Sequence, residues 1–183
     1  MGRPTEELPP KQLSMIVEAK DVVRIPDAVS PNGFDLRSYR PGDEDSWVEL
    51  INTGEFGSDW DRARFDEYMT GPERMAGSRI AVQDRKIVAA TFASVQPDMD
   101  NTGRVDFVTS LPEYRGLGLG RLVCSAVLRY LVDRGYSRII LFTDDWRLPA
   151  IGLYLSMGFE PQMTRADMPG RWEAIKRDLE VRE

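Results

Sequence analysis

The chain has no histidine and a single cysteine in 183 residues. Without histidine, Ser-His and Cys-His nucleophile pairs are excluded and the commonest nitrogen ligand for metals is missing. One cysteine rules out an internal disulfide and a cysteine-based zinc cluster, so no metal site is expected. Cys124 itself lies among apolar neighbours in a helical stretch and reads as a small core residue. No apolar run reaches the length of a membrane span, and Met1-Gly2-Arg3-Pro4-Thr5-Glu6-Glu7 lacks the apolar core of a signal peptide, so a cytoplasmic protein without a membrane partner is expected. Basic charge is also in deficit. Twenty-four Lys and Arg stand against 30 Asp and Glu, a net charge of −6, which argues against a nucleic-acid-binding surface. Chemistry in this chain must draw on carboxylates, tyrosine, arginine, backbone amides and water.

What the chain does have is a glycine-dense turn, Arg115-Gly116-Leu117-Gly118-Leu119-Gly120-Arg121, between a strand-like run and its longest amphipathic helix. Val105-Asp106-Phe107-Val108-Thr109 is β-branched and aromatic, as strands are. Leu119, Leu122, Val123, Ala126, Val127, Tyr130 and Leu131 follow at the spacing of one helical face, and Gly135 supplies the stop. Arg138-Ile139-Ile140-Leu141-Phe142-Thr143 then reads as a more fully buried strand. Glycines let the backbone bend tightly and approach a ligand, while the first amides of the helix lack partners within it, so such an end attracts phosphate. Arg115 and Arg121 flank it with positive charge.

Three phosphate-binding patterns are weighed. A Walker loop needs Gly-Lys-Ser/Thr, and Gly120 is followed by Arg121-Leu122, so that pattern fails. A dinucleotide fingerprint wants G-x-G-x-x-G after a strand and an acidic residue about 20 residues on. Here the third glycine comes one position early and too little chain follows Asp145 for a doubly wound domain, so a dinucleotide-binding oxidoreductase is the lesser alternative. The third pattern is Arg-x-x-Gly-x-Gly at Arg115, Gly118 and Gly120, preceded by Pro112-Glu113-Tyr114. At these residues the sequence resembles the GCN5-related N-acetyltransferase (GNAT) superfamily. Leu148-Pro149-Ala150-Ile151-Gly152-Leu153-Tyr154-Leu155-Ser156-Met157-Gly158-Phe159 resembles the family's second signature, a helix carrying Ala and Tyr and closing on Gly-Phe.

The remaining pattern fits one compact domain. Residues 1–33 read as an N-terminal extension, within which Leu13–Val17 has the composition of a short strand, and residues 34–183 as the domain. Phe34–Tyr39 is expected to be the first main strand. A helix follows with Trp47, Leu50 and Ile51 inward and Asp43, Glu44 and Asp45 at its N-terminus, then a second over about Asp61–Met69. Ser78–Gln83 and Lys86–Val95 form a hairpin about Asp84-Arg85. The order predicts an α+β chain with a mixed, mostly antiparallel sheet and one βαβ crossover, the layout of the acyl-CoA N-acyltransferase fold. Trp172, Ile175 and Leu179 at helical spacing predict a C-terminal helix where the family often ends in paired strands.

The resemblance implies an acetyl-CoA-dependent N-acetyltransferase in which the amine attacks directly in a ternary complex. It implies cofactor contacts from Val108, Thr109, Ser110, Arg115, Gly116, Leu117, Gly118, Leu119, Gly120 and Arg121, with a backbone amide polarising the thioester carbonyl. Tyr154, at the family's tyrosine position, is the expected general acid to the coenzyme A sulfur. Arg147 stands where many relatives carry asparagine and is expected to touch coenzyme A or substrate. Asp106 beside the cofactor is the candidate base, acting through water, with Asp144 and Asp145 at the end of the next strand as alternatives; Glu55, Phe56, Asp59 and Trp60 are the candidate acceptor contacts. The acceptor is an amine of a small molecule or peptide, and a homodimer is compatible with the chain. A non-catalytic acetyl-CoA-binding module is the alternative, because fold and cofactor turn do not by themselves give turnover.

Overall fold

Asp84 and Arg85 both take left-handed backbone angles, φ 48° and 69°, the primed turn geometry that matches strand twist in a two-residue hairpin. They join β3 (Arg79–Gln83) to β4 (Lys86–Val95), whose residues Ile87–Ser94 are all buried. In a strand whose alternate residues point to opposite faces, burial of both sets means the sheet is covered on both sides. In this computed structural model, which describes residues 11–22, 24–25, 29–53 and 56–181, the described strands form one seven-stranded sheet.

The elements run β1 (Leu13–Glu18), α1 (Ala19–Val22), β2 (Asp35–Ser38), α2 (Glu44–Thr53), α3 (Arg62–Met69), α4 (Arg74–Gly77), β3, β4 and β5 (Thr102–Ser110). A 3-10 turn at Pro112–Tyr114 leads to α5 (Leu119–Asp133), β6 (Arg138–Thr143), α6 (Leu148–Ser156), β7 (Glu160–Pro161) and α7 (Met168–Glu180). The sheet order is β2-β3-β4-β5-β6-β1-β7. Among the described strands only β5 and β6 are parallel neighbours, joined through α5, and every other pair is antiparallel. That single crossover removes the doubly wound reading, whose sheet is mostly parallel.

Two aromatic-rich cores hold the layers together. Under α2 and α3, Trp47 stacks flat on Phe92, 4.3 Å between centroids, with Phe65 beside both. On the other side, Val127, Leu128 and Leu131 of α5 meet Ile151 and Tyr154 of α6, and Met168, Trp172 and Ile175 of α7. The expected C-terminal helix therefore docks on its own domain. Arg171 fastens it, with its guanidinium on the Asp145 carboxylate at 2.7 Å and on the Lys11 carbonyl at 2.9 Å. The strand expected near Leu13–Val17 runs to Glu18 and pairs with six residues of β6 and two of β7, so the stretch read as an N-terminal extension contributes to the sheet.

The acids at the start of α2 act through named partners more than through the helix dipole. Arg37 grips Asp43 with two bonds of 2.6 and 2.8 Å, and the Tyr39 hydroxyl donates to Glu44 at 2.6 Å. Helix α4, four residues long, gave no periodic signal. It packs its Gly77 so tightly that an added Cβ would lie 2.4 Å from the Tyr130 ring and 2.6 Å from Ala93.

Candidate active site

Strands β5 and β6 stay paired only from Thr102–Val105 against Arg138–Leu141. Beyond that they part, because β5 bulges. Ala90 of β4 opposes Thr109 and Phe92 opposes Asp106, leaving Phe107 and Val108 against the single residue Thr91. Phe107 sits at φ 51°, a conformation costly for a side chain of this bulk. Its surroundings hold it there. The Thr91 hydroxyl donates to the Asp106 carbonyl at 2.9 Å, and the Phe107 ring packs edge-on against Phe56, Trp60, Tyr68 and Phe92 at centroid distances of 5.1–5.7 Å. The Asp106 carboxylate takes hydrogen bonds on one oxygen from Tyr68 (2.9 Å), Ser94 (2.7 Å) and both Nε and an amino nitrogen of Arg104 (3.0 and 2.8 Å).

The fork opens onto the glycine turn. Gly116 and Gly118 adopt φ 80° and 78°, which L side chains rarely take, and the backbone there faces open space. The Leu122 amide is the first in α5 to reach a backbone acceptor, the Gly118 carbonyl at 3.0 Å, so the amides before it point out of the helix end. Gly120 has ordinary helical angles, and its role is close packing: an added Cβ would stand 3.4 Å from Leu153 of α6. Arg121 bonds the Ser156 hydroxyl, drawing α5 and α6 together at the same end.

A cavity of about 460 Å³ fills the space between the turn, the free end of β5 and α6. Of the residues expected at the cofactor, all line it except Leu117, whose side chain is exposed. Tyr114, Trp146, Pro149, Ala150 and Leu153 line it as well and were missed. Ala150 and Leu153 were legible in principle, since they lie a helical turn apart in the second signature. Trp146 carried no such signal, being an aromatic in a loop.

A second, smaller cavity of about 40 Å³ lies inside the fork, lined by Thr143, Phe107, Phe142 and Tyr154 among others. Phe56, Val108, Arg147 and Ala150 line both cavities and form their junction. Tyr154 is buried, 6% exposed, and its ring meets Phe159 edge-on at 5.9 Å. Burial pushes its phenol above the ordinary value, the Cys124 thiol adds to that and Arg147 opposes it. The hydroxyl therefore stays protonated at neutral pH. Arg147 lies between the Phe56 and Trp146 rings, 4.5 and 4.4 Å from their centroids, and donates to Asp144 at 2.9 Å.

The other expected site residues are placed elsewhere. Asp106 lines neither cavity and is engaged by the bulge as described. Trp60 is buried against Tyr68 and Phe107, its backbone clasped by the Asn52 side chain at 2.8 and 3.0 Å. Asp59 points outward and pairs with Arg64 at 2.8 Å. Glu55 lies outside the described residues. Of the three described acceptor candidates, Phe56 alone lines the cavities.

Comparison with known proteins gives the family by sequence and the same fold by structure. A model of the acetyltransferase (GNAT) family matches residues 44–159. Similar relatives include mycothiol acetyltransferases of Thermomonospora curvata, 33% identical over 74% of this chain and 47% of that protein, and of Pseudarthrobacter chlorophenolicus, 31% identical over 83% and 49%. The chain spans about half the length of these relatives. Similar solved structures include a GCN5-related N-acetyltransferase from Sphaerobacter thermophilus, with TM-score 0.65 and 18% identity over 84% of this chain and 50% of that one. The ribosomal-protein-S18-alanine N-acetyltransferase of Escherichia coli aligns with TM-score 0.59 and 21% identity over 69% and 77%. At those identities the structures speak to the fold, and the family match speaks to descent. With the forked sheet, the glycine turn and the tyrosine helix in their places, the chain belongs to the GNAT acetyltransferase family.

Proposed function

We propose that this protein transfers the acetyl group of acetyl-coenzyme A to an amine of a small-molecule acceptor. The observation that carries the reading is the cavity in which left-handed glycines, outward-pointing helix amides and the free edge of β5 converge, sharing the walls Phe56, Val108, Arg147 and Ala150 with the cavity that Tyr154 lines. The turn, with Arg115 and Arg121 beside it, suits the pyrophosphate. The backbone of Val108–Ser110 suits the amide groups of the pantetheine arm, and an N–H at the bulge suits the oxyanion. The relatives named as mycothiol acetyltransferases favour a small-molecule acceptor over a protein one.

In the reaction the neutral amine forms a C–N bond to the thioester carbon and the carbonyl oxygen takes the negative charge. The C–S bond then breaks with its electron pair going to sulfur, and the phenol of Tyr154 supplies the proton. A buried phenol held above its ordinary pKa has the proton to give. Asp106 serves this scheme as the anchor of the bulge, and the amine's proton leaves through water.

Calorimetric titration with acetyl-coenzyme A tests the reading. Micromolar binding by the wild type, lost in Gly118→Asp, followed by amine-dependent release of coenzyme A across a panel of amines, is the expected result. A folded wild type that does not bind would overturn it, and binding without release from any amine would leave a binding module instead of an enzyme.

A further inference from the structure

Strand β6 sends Ile139, Leu141 and Thr143 to one face, since alternate residues share a side. The first two are buried aliphatic members of the core that also holds Cys124 and Tyr154. Thr143 is as buried as they are, 3% exposed, yet among the described residues its Oγ1 has no hydrogen-bond partner. A valine would fill the same volume without leaving a polar atom unsatisfied, and buried hydroxyls are ordinarily paired. Thr143 lines the small cavity in the fork together with Phe107 and Val108 of the bulge and with Tyr154. At about 40 Å³ that cavity has room for a group the size of one water or one sulfur atom.

We propose that Thr143 is a substrate-contacting residue whose hydroxyl hydrogen-bonds the coenzyme A sulfur, opposite the phenol of Tyr154. The inference rests on the acetyltransferase reading above and adds a residue to it. When the C–S bond breaks and its electron pair moves to sulfur, two hydroxyls then face the nascent thiolate. Tyr154 passes its proton to the sulfur, and Thr143 keeps its own while donating a hydrogen bond. In a largely apolar fork a fixed donor stabilises the leaving group as charge develops. The arrangement explains why an otherwise aliphatic row ends in a hydroxyl at the point where the strands part.

The test compares coenzyme A with desulfo-coenzyme A, which lacks only the sulfur, at pH 9, where a thiol of ordinary pKa, about 8.5, is mostly thiolate. Calorimetric Kd values are measured for the wild type, Thr143→Val and Thr143→Ser. The wild type and Thr143→Ser are expected to prefer coenzyme A. In Thr143→Val that preference should fall by about tenfold, the value of one hydrogen bond to a charged group, with binding of desulfo-coenzyme A unchanged. An equal effect on both ligands, or no effect on either, overturns the contact while leaving the acetyltransferase reading in place. Should Thr143→Val not fold, Thr143→Ala against Thr143→Ser makes the same comparison, with serine alone keeping the preference. Failure of the wild type to bind either ligand would instead remove the acetyl-coenzyme A reading itself, and this contact with it.

Discussion

Replacing Asp106 by asparagine separates an anchor from a base. As an anchor, Asp106 holds Tyr68, Ser94 and Arg104 on one carboxylate oxygen, and its own carbonyl takes the Thr91 hydroxyl at the bulge. Asparagine keeps an oxygen to accept from Tyr68 and Ser94 but loses the charge facing Arg104, an ion pair whose side chains are 21% and 14% exposed. A hydrogen bond to a charged group contributes about 1.5–3 kcal/mol, and this pair is largely shielded from solvent, so a loss of about 2 kcal/mol is expected. For a chain of this size that corresponds to a fall in Tm of about 4–8 °C. Turnover should drop less than about tenfold, through loosening of the bulge, with the shape of the pH–rate profile unchanged. A general base would behave otherwise, since its removal costs about 10²–10⁴-fold in rate and deletes the acid limb of the profile. Thermal denaturation and a pH series of coenzyme A release, once an acceptor is in hand, give both readouts. A rate loss of a hundredfold or more with Tm unmoved would refute the anchor.

Tyr154→Phe should lower kcat by about 10²-fold or more while leaving calorimetric affinity for acetyl-coenzyme A within about twofold, since the phenol acts only as the sulfur leaves; equal turnover would sink acid catalysis by Tyr154. Because burial raises the phenol's pKa, wild-type kcat should show no decline from Tyr154 ionisation through pH 10, and a falling limb near 9 that disappears in Tyr154→Phe would contradict the burial argument. Glu44 is held below its ordinary value of 4.5, first by the Tyr39 hydroxyl, with burial acting in the opposite sense. A depressed folded pKa contributes stability that is complete above the unfolded value and is lost as pH falls through the folded one. Urea midpoints at pH 6 and pH 3 should therefore fall less in Glu44→Gln than in the wild type, and an identical fall would show that Glu44 is not linked to folding. Gly77→Ala should cost about 1–3 kcal/mol by forcing Tyr130 and Ala93 apart, read as a lower urea midpoint without change in acetyl-coenzyme A affinity.

The donor side of the site was legible because it is written in backbone chemistry. Left-handed turns need Gly116 and Gly118, and a helix face needs its apolar spacing, so both leave local marks that survive in one sequence. The acceptor side left no such marks. Asp59 and Trp60 looked alike as polar and aromatic members of a loop, yet one ends in a solvent-facing pair with Arg64 and the other under the sheet's aromatic core. Their fates depend on the packing of α2 and α3, which no short spacing encodes. The bulge was equally hidden. Phe107 reads as an ordinary strand residue, and only its alignment against Thr91 and the ring of aromatics around it reveal the positive φ.

One strand accounts for most of what the site can do. Up to Val105, β5 is held to β6 by ordinary parallel pairing, and the half-buried Arg104–Asp106 pair ties β5 to β4 through the Ser94 hydroxyl just before the strands part. Two residues later the strand bulges, and Thr109 and Ser110 stay paired with β4 while their other edge, freed from β6, faces the cavity, at a conformational cost that the packing of Phe107 among Phe56, Trp60, Tyr68 and Phe92 offsets. Phe56 thus serves two ends, since the ring that steadies the bulge also carries the Arg147 guanidinium at the junction of the cavities. Trimming Phe56 to alanine would loosen both at once. The loss of acetyl-coenzyme A affinity in Phe56→Ala should therefore exceed that in Arg147→Ala, and calorimetry on the two variants orders them directly. If Arg147→Ala lost the more, the guanidinium would be a primary ligand of the coenzyme, and the ring no more than its support.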